Sequence, residues 1–309
     1  MIEITMLGTS ALMPLPDRAL TAVLLHCGGR SILFDCGEGT QTAARKAGVS
    51  LMKTDIIALT HYHGDHIFGL PGLMQTMFSL GRTQPLYITG PKGLARELAP
   101  IIKLAGALTF DVILFEIGDT PLVLSKHFDG WPAGAALKAF ETNHRCDSQG
   151  YCFTLARAGK FLSERARALK VPVEYWSVLQ RGESVEINGE TVRPEQVLGE
   201  ERKGLKIVFT GDTSPCDSLI WNAKDADLLI SEATYDENEY TSLALDRGHM
   251  TYEMAAECAK AAGVRELWLT HFSQRIETPE TSLHLASDIF SDTVCCVDGM
   301  KKTLSFEER

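Results

Sequence analysis

The feature that most constrains this chain is the run His61-Tyr62-His63-Gly64-Asp65-His66. Histidine occurs only 9 times in 309 residues, yet three histidines fall within this run beside an aspartate. Neutral imidazole and carboxylate groups are ligands of zinc and similar borderline metal ions. A polar turn with histidines in solvent is the simpler alternative, but a turn does not need four ligand-type side chains. We therefore interpret the run as one half of a metal site.

The residues on either side of this run predict packed secondary structure. The apolar residues 55–60 are typical of a short buried strand. Residues 71–80 predict a helix that has proline near its first turn. The ligand run should therefore lie on a loop at the end of a strand, held in place by an element on each side.

Three further ligand-type residues, His144, Asp212 and His271, each follow a short apolar segment that predicts a strand. α/β folds gather their functional groups at strand ends. Taken singly, His144 could be a loop histidine, Asp212 a turn residue after glycine, and His271 a core histidine. Their shared position after strands favours a single site that combines them with the run at residues 61–66.

The order of the predicted elements indicates an α/β protein of one domain over residues 1–309. Residues 156–203 differ from the rest, because they carry many charges and lack dense apolar periodicity. Five basic residues and one acidic residue lie between positions 157 and 170. We expect this stretch to be an inserted arm, although its composition alone favours a solvated helix and a surface hairpin.

Composition narrows the class of protein. The net charge of −10 argues mildly against broad, non-specific nucleic-acid binding, which normally uses a basic surface. The chain has no long apolar run and no signal peptide is evident at its start. Its eight scattered cysteines form no CxxC pair, so we expect reduced thiols and a cytoplasmic location. Cys146 lies close to His144, and we expect it to be a small buried hydrophobe rather than a nucleophile.

Five segments resemble the motifs of ribonuclease Z, the tRNA 3′-processing endonuclease of the metallo-β-lactamase superfamily. The resemblance extends from residue 8 to about residue 275, in order and with plausible spacing. The HxHxDH pattern alone would indicate only the superfamily, whereas its combination with the first of these segments is specific. The segments are DCGEGTQ at 35–41, THYHGDHIFGLPG at 60–72, FTGDT at 209–213, SEATY at 231–235 and LTHFS at 269–273.

The resemblance implies a four-layer αββα sandwich with the site along one edge of two sheets. It also implies two zinc ions per chain, with Mn²⁺ as a possible substitute. One ion would be bound by His61, His63 and His144. The other would be bound by Asp65, His66 and His271, and Asp212 would bridge the two.

The resemblance further implies the chemistry. Two metal ions can clamp a phosphodiester during in-line displacement and lower the pKa of a shared water. Asp65 would orient or deprotonate that water, and His249, paired with Glu232, would protonate the leaving ribose oxygen. The products would be a tRNA with a 3′-hydroxyl and a trailer with a 5′-phosphate. A homodimer is implied as well, because in the family the arm of one subunit reaches RNA bound by the other.

Some features depart from the family pattern and leave two alternatives open. The family's HST motif is His-Met-Thr at residues 249–251, and residues 171–176 of the arm lack a glycine cluster. Arg145 and Arg275 are candidate phosphate contacts, although each could be a surface charge. One alternative is a phosphodiesterase of the same fold that acts on smaller phosphate esters. The other is a non-catalytic RNA-binding protein, which a complete set of metal ligands argues against.

Overall fold

The computed structural model describes residues 1–237 and 240–307. Its strands, in chain order, are β1 (Ile2–Gly8), β2 (Ala22–Cys27), β3 (Arg30–Phe34), β4 (Thr54–Ala58), β5 (Leu86–Thr89), β6 (Val112–Phe115), β7 (Leu122–Val123), β8 (Ala135–Glu141), β9 (Gln149–Arg157), β10 (Val185–Ile187), β11 (Glu190–Val192), β12 (Arg202–Phe209), β13 (Leu228–Glu232), β14 (Leu267–Thr270), β15 (Thr293–Cys295) and β16 (Lys301–Leu304). Its α-helices are α1 (Thr40–Lys46), α2 (Gly64–Ile67), α3 (Leu70–Ser79), α4 (Leu94–Ala105), α5 (Ser163–Ala168), α6 (Trp176–Gln180), α7 (Asp217–Ala223), α8 (Thr241–Arg247), α9 (Tyr252–Ala262) and α10 (His284–Ser287). No described helix is long and apolar enough to cross a membrane.

The strands form two large sheets. The first has the order β16-β1-β2-β3-β4-β5-β6, and the second has the order β15-β14-β13-β12-β9-β8-β7. Both sheets are mixed. Strands β3 to β6 are parallel to one another, and so are β12 to β15. Parallel neighbours end at the same edge of a sheet, so the loops that follow β4, β12, β13 and β14 can meet there.

Successive side chains along a strand point to opposite faces of the sheet, and this alternation explains the layers of the fold. In β4, Ile56 faces the core between the two sheets, while Ile57 faces helices α1, α3 and α4. In β12, Ile207 faces the same central core, while Val208 packs toward α7 and α9. Both faces of each sheet are therefore buried, as expected for parallel strands that carry continuous apolar runs. The result is a four-layer αββα sandwich, which confirms the predicted fold class.

The segment between β9 and β12 is built separately from the sandwich. It contains α5, α6 and the small antiparallel pair β10-β11. It has an apolar cluster of its own, whose buried members are Ala166, Val171, Leu179, Val185, Val192 and Val197. The segment is thus more ordered than a solvated helix with a surface hairpin, although its sequence lacks dense apolar periodicity. Its role as an arm stays a prediction.

The strand predicted at residues 55–60 is β4, which ends at Ala58, and the helix predicted at residues 71–80 is α3, which begins at Leu70 and ends at Ser79. Helix α4 begins at Leu94, directly after Gly93, whose φ of 91° is a left-handed conformation that glycine adopts readily. The helix also accommodates Pro100 in its interior. The short strands β7, β15 and β16 were not predicted, since segments of two to four residues carry little periodicity.

Candidate metal centre

The candidate site lies where the ends of the two sheets approach each other. The run at residues 61–66 follows β4, and the backbone oxygen of Thr60 accepts a hydrogen bond from Gln149 N across the sandwich. Gly211, which follows β12, packs against Thr60 so closely that a Cβ atom there would lie 2.5 Å from the threonine Cβ. This position requires glycine for two reasons, because a Cβ atom would clash with Thr60 and because its φ is +61°. The close approach brings Asp212 next to the histidine run.

The first predicted ligand group, His61, His63 and His144, is assembled from two distant loops. Nε2 of His61 lies 2.9 Å from Nδ1 of His63, and Nε2 of His144 lies 3.4 Å from that same Nδ1. Nitrogen ligands of a tetrahedral zinc ion are roughly 3.3 Å apart, given Zn–N distances of about 2.0–2.1 Å. The spacing of the three imidazoles is therefore that of a metal-binding triad.

The second predicted group, Asp65, His66 and His271, lies beside the first. Oδ2 of Asp65 is 3.6 Å from Nε2 of His66 and 3.5 Å from Nε2 of His271. Asp212 stands between the two groups. Its carboxylate oxygens lie 3.4 Å from Nε2 of His66, 3.3 Å from Nε2 of His271 and 3.7 Å from Nε2 of His61. The structure thus brings all seven predicted side chains together, in the predicted grouping.

The second ring nitrogen of several of these histidines is held by the surrounding fold. Nδ1 of His66 pairs with Oδ2 of Asp35 at 2.7 Å, and Nδ1 of His61 lies 3.0 Å from the hydroxyl of Thr60. Nδ1 of His271 lies 3.0 Å from the hydroxyl of Thr234. Such partners fix the tautomer and orientation of a metal-binding imidazole and leave its other nitrogen directed at the metal.

The sequence did not identify Asp35 and Thr234 as part of the site. Asp35 lies in the segment 35–41 and Thr234 in the segment 231–235, both of which carry the family resemblance. Membership of these segments was the signal that could have identified them. Their contacts with His66 and His271 depend on how the strands are aligned. Asp35 has a φ of 56° and His271 a φ of 60°, both left-handed conformations that are uncommon outside glycine. Uncommon backbone conformations of this kind concentrate at functional sites.

Unpaired buried atoms, in addition to the residue types, indicate that these side chains fit a divalent metal ion. Nε2 of His66, Nε2 of His271 and Oδ1 of Asp212 are buried and make no hydrogen bond to any part of the chain that the structure describes. Buried polar atoms without partners are rare in folded proteins, because each costs about 1–3 kcal/mol. Nε2 of His271 lies 3.3 Å from Oδ1 of Asp212, and Nε2 of His66 lies 3.4 Å from Oδ2 of the same carboxylate, which indicates that a cation is their partner.

Burial and neighbouring carboxylates shift the pKa values of the ligand histidines. Burial lowers the pKa of His61 and of His63, which favours the neutral imidazole that binds metal. Burial also acts against the charged form of His66, but the carboxylates of Asp212, Asp35 and Asp65 outweigh it and raise the pKa of His66 well above its usual value. The carboxylates therefore favour positive charge at the centre of the site.

His249 and Glu232 are hydrogen-bonded beside this centre. Nδ1 of His249 lies 2.9 Å from Oε1 of Glu232, which also accepts from Thr213 N at 2.7 Å, while its Oε2 accepts from Met250 N at 3.1 Å. Burial lowers the pKa of His249, but Glu232 more than offsets this and raises it to about 9. His249 lies two residues before the cap of α9, at Thr251, so it is outside the helix and not at its first turn.

The centre opens into a cleft that is lined by arginines. Arg145, Arg247 and Arg275 are all exposed and border it, and Nη1 of Arg247 donates to the hydroxyl of Tyr235 at 3.4 Å. Arg145 and Arg275 were predicted as phosphate contacts. Arg247 and Tyr235 were not. Arg247 is the last residue of α8, where a basic side chain is common, and Tyr235 lies in the segment 231–235, which carried the family resemblance but indicated no role for the tyrosine. The cleft is cationic although the whole chain is acidic.

Cys146 corrects one expectation. It was expected to be buried, but it is exposed on the loop between β8 and β9. Its sulfur belongs to the same group of potential metal ligands as His61, His63 and His144, whose ligand atoms all lie within 4.8 Å of one another. The expectation rested on residue type, since most cysteines are buried. Cys146 is exposed because it lies two residues after His144 on a surface loop.

Comparison with protein families gives two matches of limited length. The model of the family described as "Anti-Pycsar protein Apyc1" matches residues 2–111. The model described as "Beta-lactamase superfamily domain" matches residues 172–272, which include Asp212 and His271.

Curated relatives match over the whole chain. A protein of Lachnoclostridium phytofermentans named "Ribonuclease Z" is 40% identical over 308 residues, and the alignment covers 100% of this chain and 99% of the relative. A protein of the same name from Clostridium tetani is 40% identical over 316 residues, with 99% and 100% covered.

Solved structures agree with this result. The crystal structure of human tRNase Z, short form, superposes with a TM-score of 0.68 at 30% identity and covers 98% of this chain and 100% of that protein. The metallo-β-lactamase fold protein YhfI of Bacillus subtilis superposes with a TM-score of 0.67 at 24% identity, covers 97% of this chain and 98% of that protein, and supports the fold alone.

Proposed function

The chain belongs to the ribonuclease Z family, and from that membership we propose that this centre cleaves the 3′ trailer from precursor tRNA. The protein is an endoribonuclease of the metal-dependent phosphodiester hydrolase class. The observation that carries the proposal is the pair of ligand groups that converge on Asp212, in a chain that aligns with its relatives from end to end. The relatives favour a tRNA substrate over smaller phosphate esters.

The metal assignment is part of the proposal. His61, His63 and His144 would hold one zinc ion, and Asp65, His66 and His271 would hold a second. Asp212 would contact both ions, which is consistent with its position 3.3–3.7 Å from three of the histidines. Imidazole and carboxylate ligands suit zinc, and Mn²⁺ is the substitute to test first.

Bound divalent ions would supply Lewis acidity at the scissile phosphate and would lower the pKa of water at the centre. Asp65 would orient the attacking water and accept its proton, because its carboxylate lies within the second ligand group, 3.5–3.6 Å from Nε2 of His66 and of His271. Oδ2 of Asp65 accepts a hydrogen bond from Leu12 N at 2.7 Å. This bond connects the carboxylate of Asp65 to the loop between β1 and β2 and fixes its orientation.

His249 would donate a proton to the departing ribose oxygen. Its Nδ1 is engaged by Glu232 at 2.9 Å, so its Nε2 is the nitrogen that remains for the substrate. Glu232 is buried and receives further hydrogen bonds from Thr213, Thr234 and Met250, which hold it in place. Glu232 therefore acts as a positioning residue that keeps His249 oriented and charged.

The RNA would enter over the cationic cleft, and Arg145, Arg247 and Arg275 would contact its phosphates. We also propose that the segment between β9 and β12 is an arm that contacts the body of the tRNA, and that the protein is a homodimer in which each arm reaches the partner's substrate. The eight free cysteines are consistent with a reducing cytoplasm. Sedimentation of the purified protein would test the dimer.

A trailer-cleavage assay tests the function directly. The zinc-loaded protein should cut a precursor tRNA at one position and leave a 3′-hydroxyl on the tRNA and a 5′-phosphate on the trailer. The value of kcat/KM on this RNA should exceed that on bis(p-nitrophenyl) phosphate. Hydrolysis of the ester without cleavage of the RNA would instead support a phosphodiesterase for smaller substrates, and binding without any hydrolysis would support a non-catalytic protein.

A further inference from the structure

Leu12, in the loop between β1 and β2, has a backbone conformation that leucine rarely adopts. Its φ is 59°, in the left-handed region, where the Cβ atom of an L-residue crowds the backbone and glycine is favoured. Six described residues other than glycine have a left-handed φ, and Leu12 carries the one apolar side chain among them. Strained conformations of this kind persist where the surrounding structure enforces them, and they concentrate at functional sites.

The surrounding loop enforces the conformation of Leu12. Ala11 N donates to the backbone oxygen of Phe272 at 2.9 Å, and Phe272 N donates to that of Thr9 at 2.8 Å, so the loop is attached to the segment that follows β14. Leu12 N then donates to Oδ2 of Asp65 at 2.7 Å. The backbone conformation of Leu12 is therefore explained by the hydrogen bond that holds Asp65.

This hydrogen bond explains the backbone of Leu12 but not its side chain. Glycine at this position would donate the same hydrogen bond and would adopt the same φ without steric cost. The side chain also contributes little to the core, because Leu12 is 71% exposed. Leu12 borders the cleft over the metal centre, together with His249 and Arg275. The side chain is therefore strained, exposed and placed at the cleft, and neither the core nor Asp65 requires it.

In-line displacement relates Leu12 to one side of the substrate. The attacking water and the departing oxygen lie on opposite sides of the phosphorus in such a reaction. By the roles proposed above, Asp65 is on the side of the water, and His249 is on the side of the departing oxygen, which belongs to the last ribose of the tRNA. Leu12 is hydrogen-bonded to Asp65, so it lies on the side away from that ribose. The trailer, which keeps the phosphate, is the part of the substrate within its reach.

We propose that the side chain of Leu12 packs against the base of the first trailer nucleotide and so helps to select where the RNA is cut. Phosphate contacts from the arginines of the cleft position a nucleic acid but carry no information about its bases. An apolar contact with a base supplies what those arginines lack. This inference rests on the cleavage of precursor tRNA proposed above, and it adds a residue that recognises the substrate.

Cleavage by the zinc-loaded protein tests this contact with changes on both sides of it. One precursor is unmodified, a second lacks the base of the first trailer nucleotide, and a third lacks the base of the last tRNA nucleotide. The proteins are the wild type, Leu12→Gly and Leu12→Asn. Both variants keep the N–H that Asp65 accepts, and asparagine tolerates a left-handed φ while its side chain is polar. Asp225→Gly is the matched control, because Asp225 is exposed, has a φ of 56° and lies before β13, away from the residues that border the cleft.

We expect Leu12→Gly and Leu12→Asn to lower kcat/KM for the unmodified precursor by about 5- to 10-fold, through loss of a partly buried apolar contact. Removal of the trailer base should lower kcat/KM of the wild type by a similar factor but should hardly affect the two variants, because their contact is already absent. Asp225→Gly should respond to the missing base as the wild type does. An equal response of the wild type and the Leu12 variants would overturn the proposal, and so would a difference between them that appears only with the missing tRNA base.

Thermal melting adds a readout that does not depend on activity. Leu12→Gly should melt no lower than the wild type, because relief of the left-handed strain opposes the added freedom of the unfolded chain. A melting temperature lower by several degrees would show that the side chain serves the fold, and would overturn the proposal. If the zinc-loaded wild type does not cut the unmodified precursor, the proposed function fails and the role of Leu12 fails with it. If it cuts the precursor but the variants respond to the missing trailer base as the wild type does, only the role of Leu12 is wrong.

Discussion

Nδ1 of His66 lies 2.7 Å from Oδ2 of Asp35, and both side chains are completely buried. Asp35 follows β3, and His66 belongs to the ligand run that follows β4, the neighbouring parallel strand. Oδ1 of Asp35 also accepts from Thr60 N at 2.8 Å. One carboxylate thus orients a predicted ligand and closes the turn that leads into the ligand run.

Asp35→Asn should weaken zinc binding by about 10- to 100-fold, because an amide directs a donor at either Thr60 N or the ring of His66. Competition with a chromogenic chelator measures the affinity. Asp227→Asn is the matched control, since Asp227 is also buried but precedes β13, at the end of that strand opposite Glu232. Equal affinity of the two variants would show that Asp35 does not support the metal.

His249→Ala should lower kcat for RNA cleavage by about 10²- to 10⁴-fold while the zinc content stays unchanged, because the residue donates a proton but binds no metal. Metal analysis and single-turnover cleavage provide the two measurements. The exposed His284 on α10 provides the control variant His284→Ala. Loss of zinc from His249→Ala would contradict the acid role.

Asp212→Asn should reduce the bound zinc below two ions per chain at saturation, because the variant loses the carboxylate that lies between both ligand groups. It should also lose most of the thermal stabilisation that zinc gives the wild type, which is about 2.7 kcal/mol when free zinc is 100 times Kd. Thermal melts with zinc and with chelator measure this difference. Asp217→Asn, on the exposed first turn of α7, should retain both properties.

Arg247→Ala should raise KM for precursor tRNA and reduce the salt dependence of binding, because the side chain borders the cleft and would contact a phosphate. A lost contact of this kind corresponds to about 1.5–3 kcal/mol. Arg265→Ala is the control, since Arg265 pairs with Glu307 at the opposite end of β14 from His271. An unchanged salt slope for Arg247→Ala would exclude a phosphate contact.

Leu179→Ala should destabilise the segment between β9 and β12, because this fully buried residue belongs to the segment's own apolar cluster. Large-to-small substitutions of this kind cost about 2–5 kcal/mol. If the segment is a tRNA arm, kcat/KM should fall for precursor tRNA but not for bis(p-nitrophenyl) phosphate. The exposed Leu169→Ala is the control, and a parallel loss on both substrates would argue against an arm.

The residues by themselves predicted an α/β protein and named the seven side chains that meet at the centre, because metal-binding side chains are chemically distinctive and α/β folds gather functional groups after their strands. The four-layer sandwich and the division of the ligands into two groups were implied by the resemblance to ribonuclease Z. The helix at residues 94–105 and the short edge strands were less predictable, since a left-handed glycine and pairing with distant strands decided them.

Only the tertiary structure decided which atoms face one another. The pairing of Asp35 with His66 and of Thr234 with His271 depends on strand register, which no local pattern encodes. The exposure of Cys146 likewise depends on a loop closed by Thr142 and Ser148. Residue type determines what a side chain can bind, whereas the packing of two sheets determines whether its partners are within 3 to 4 Å.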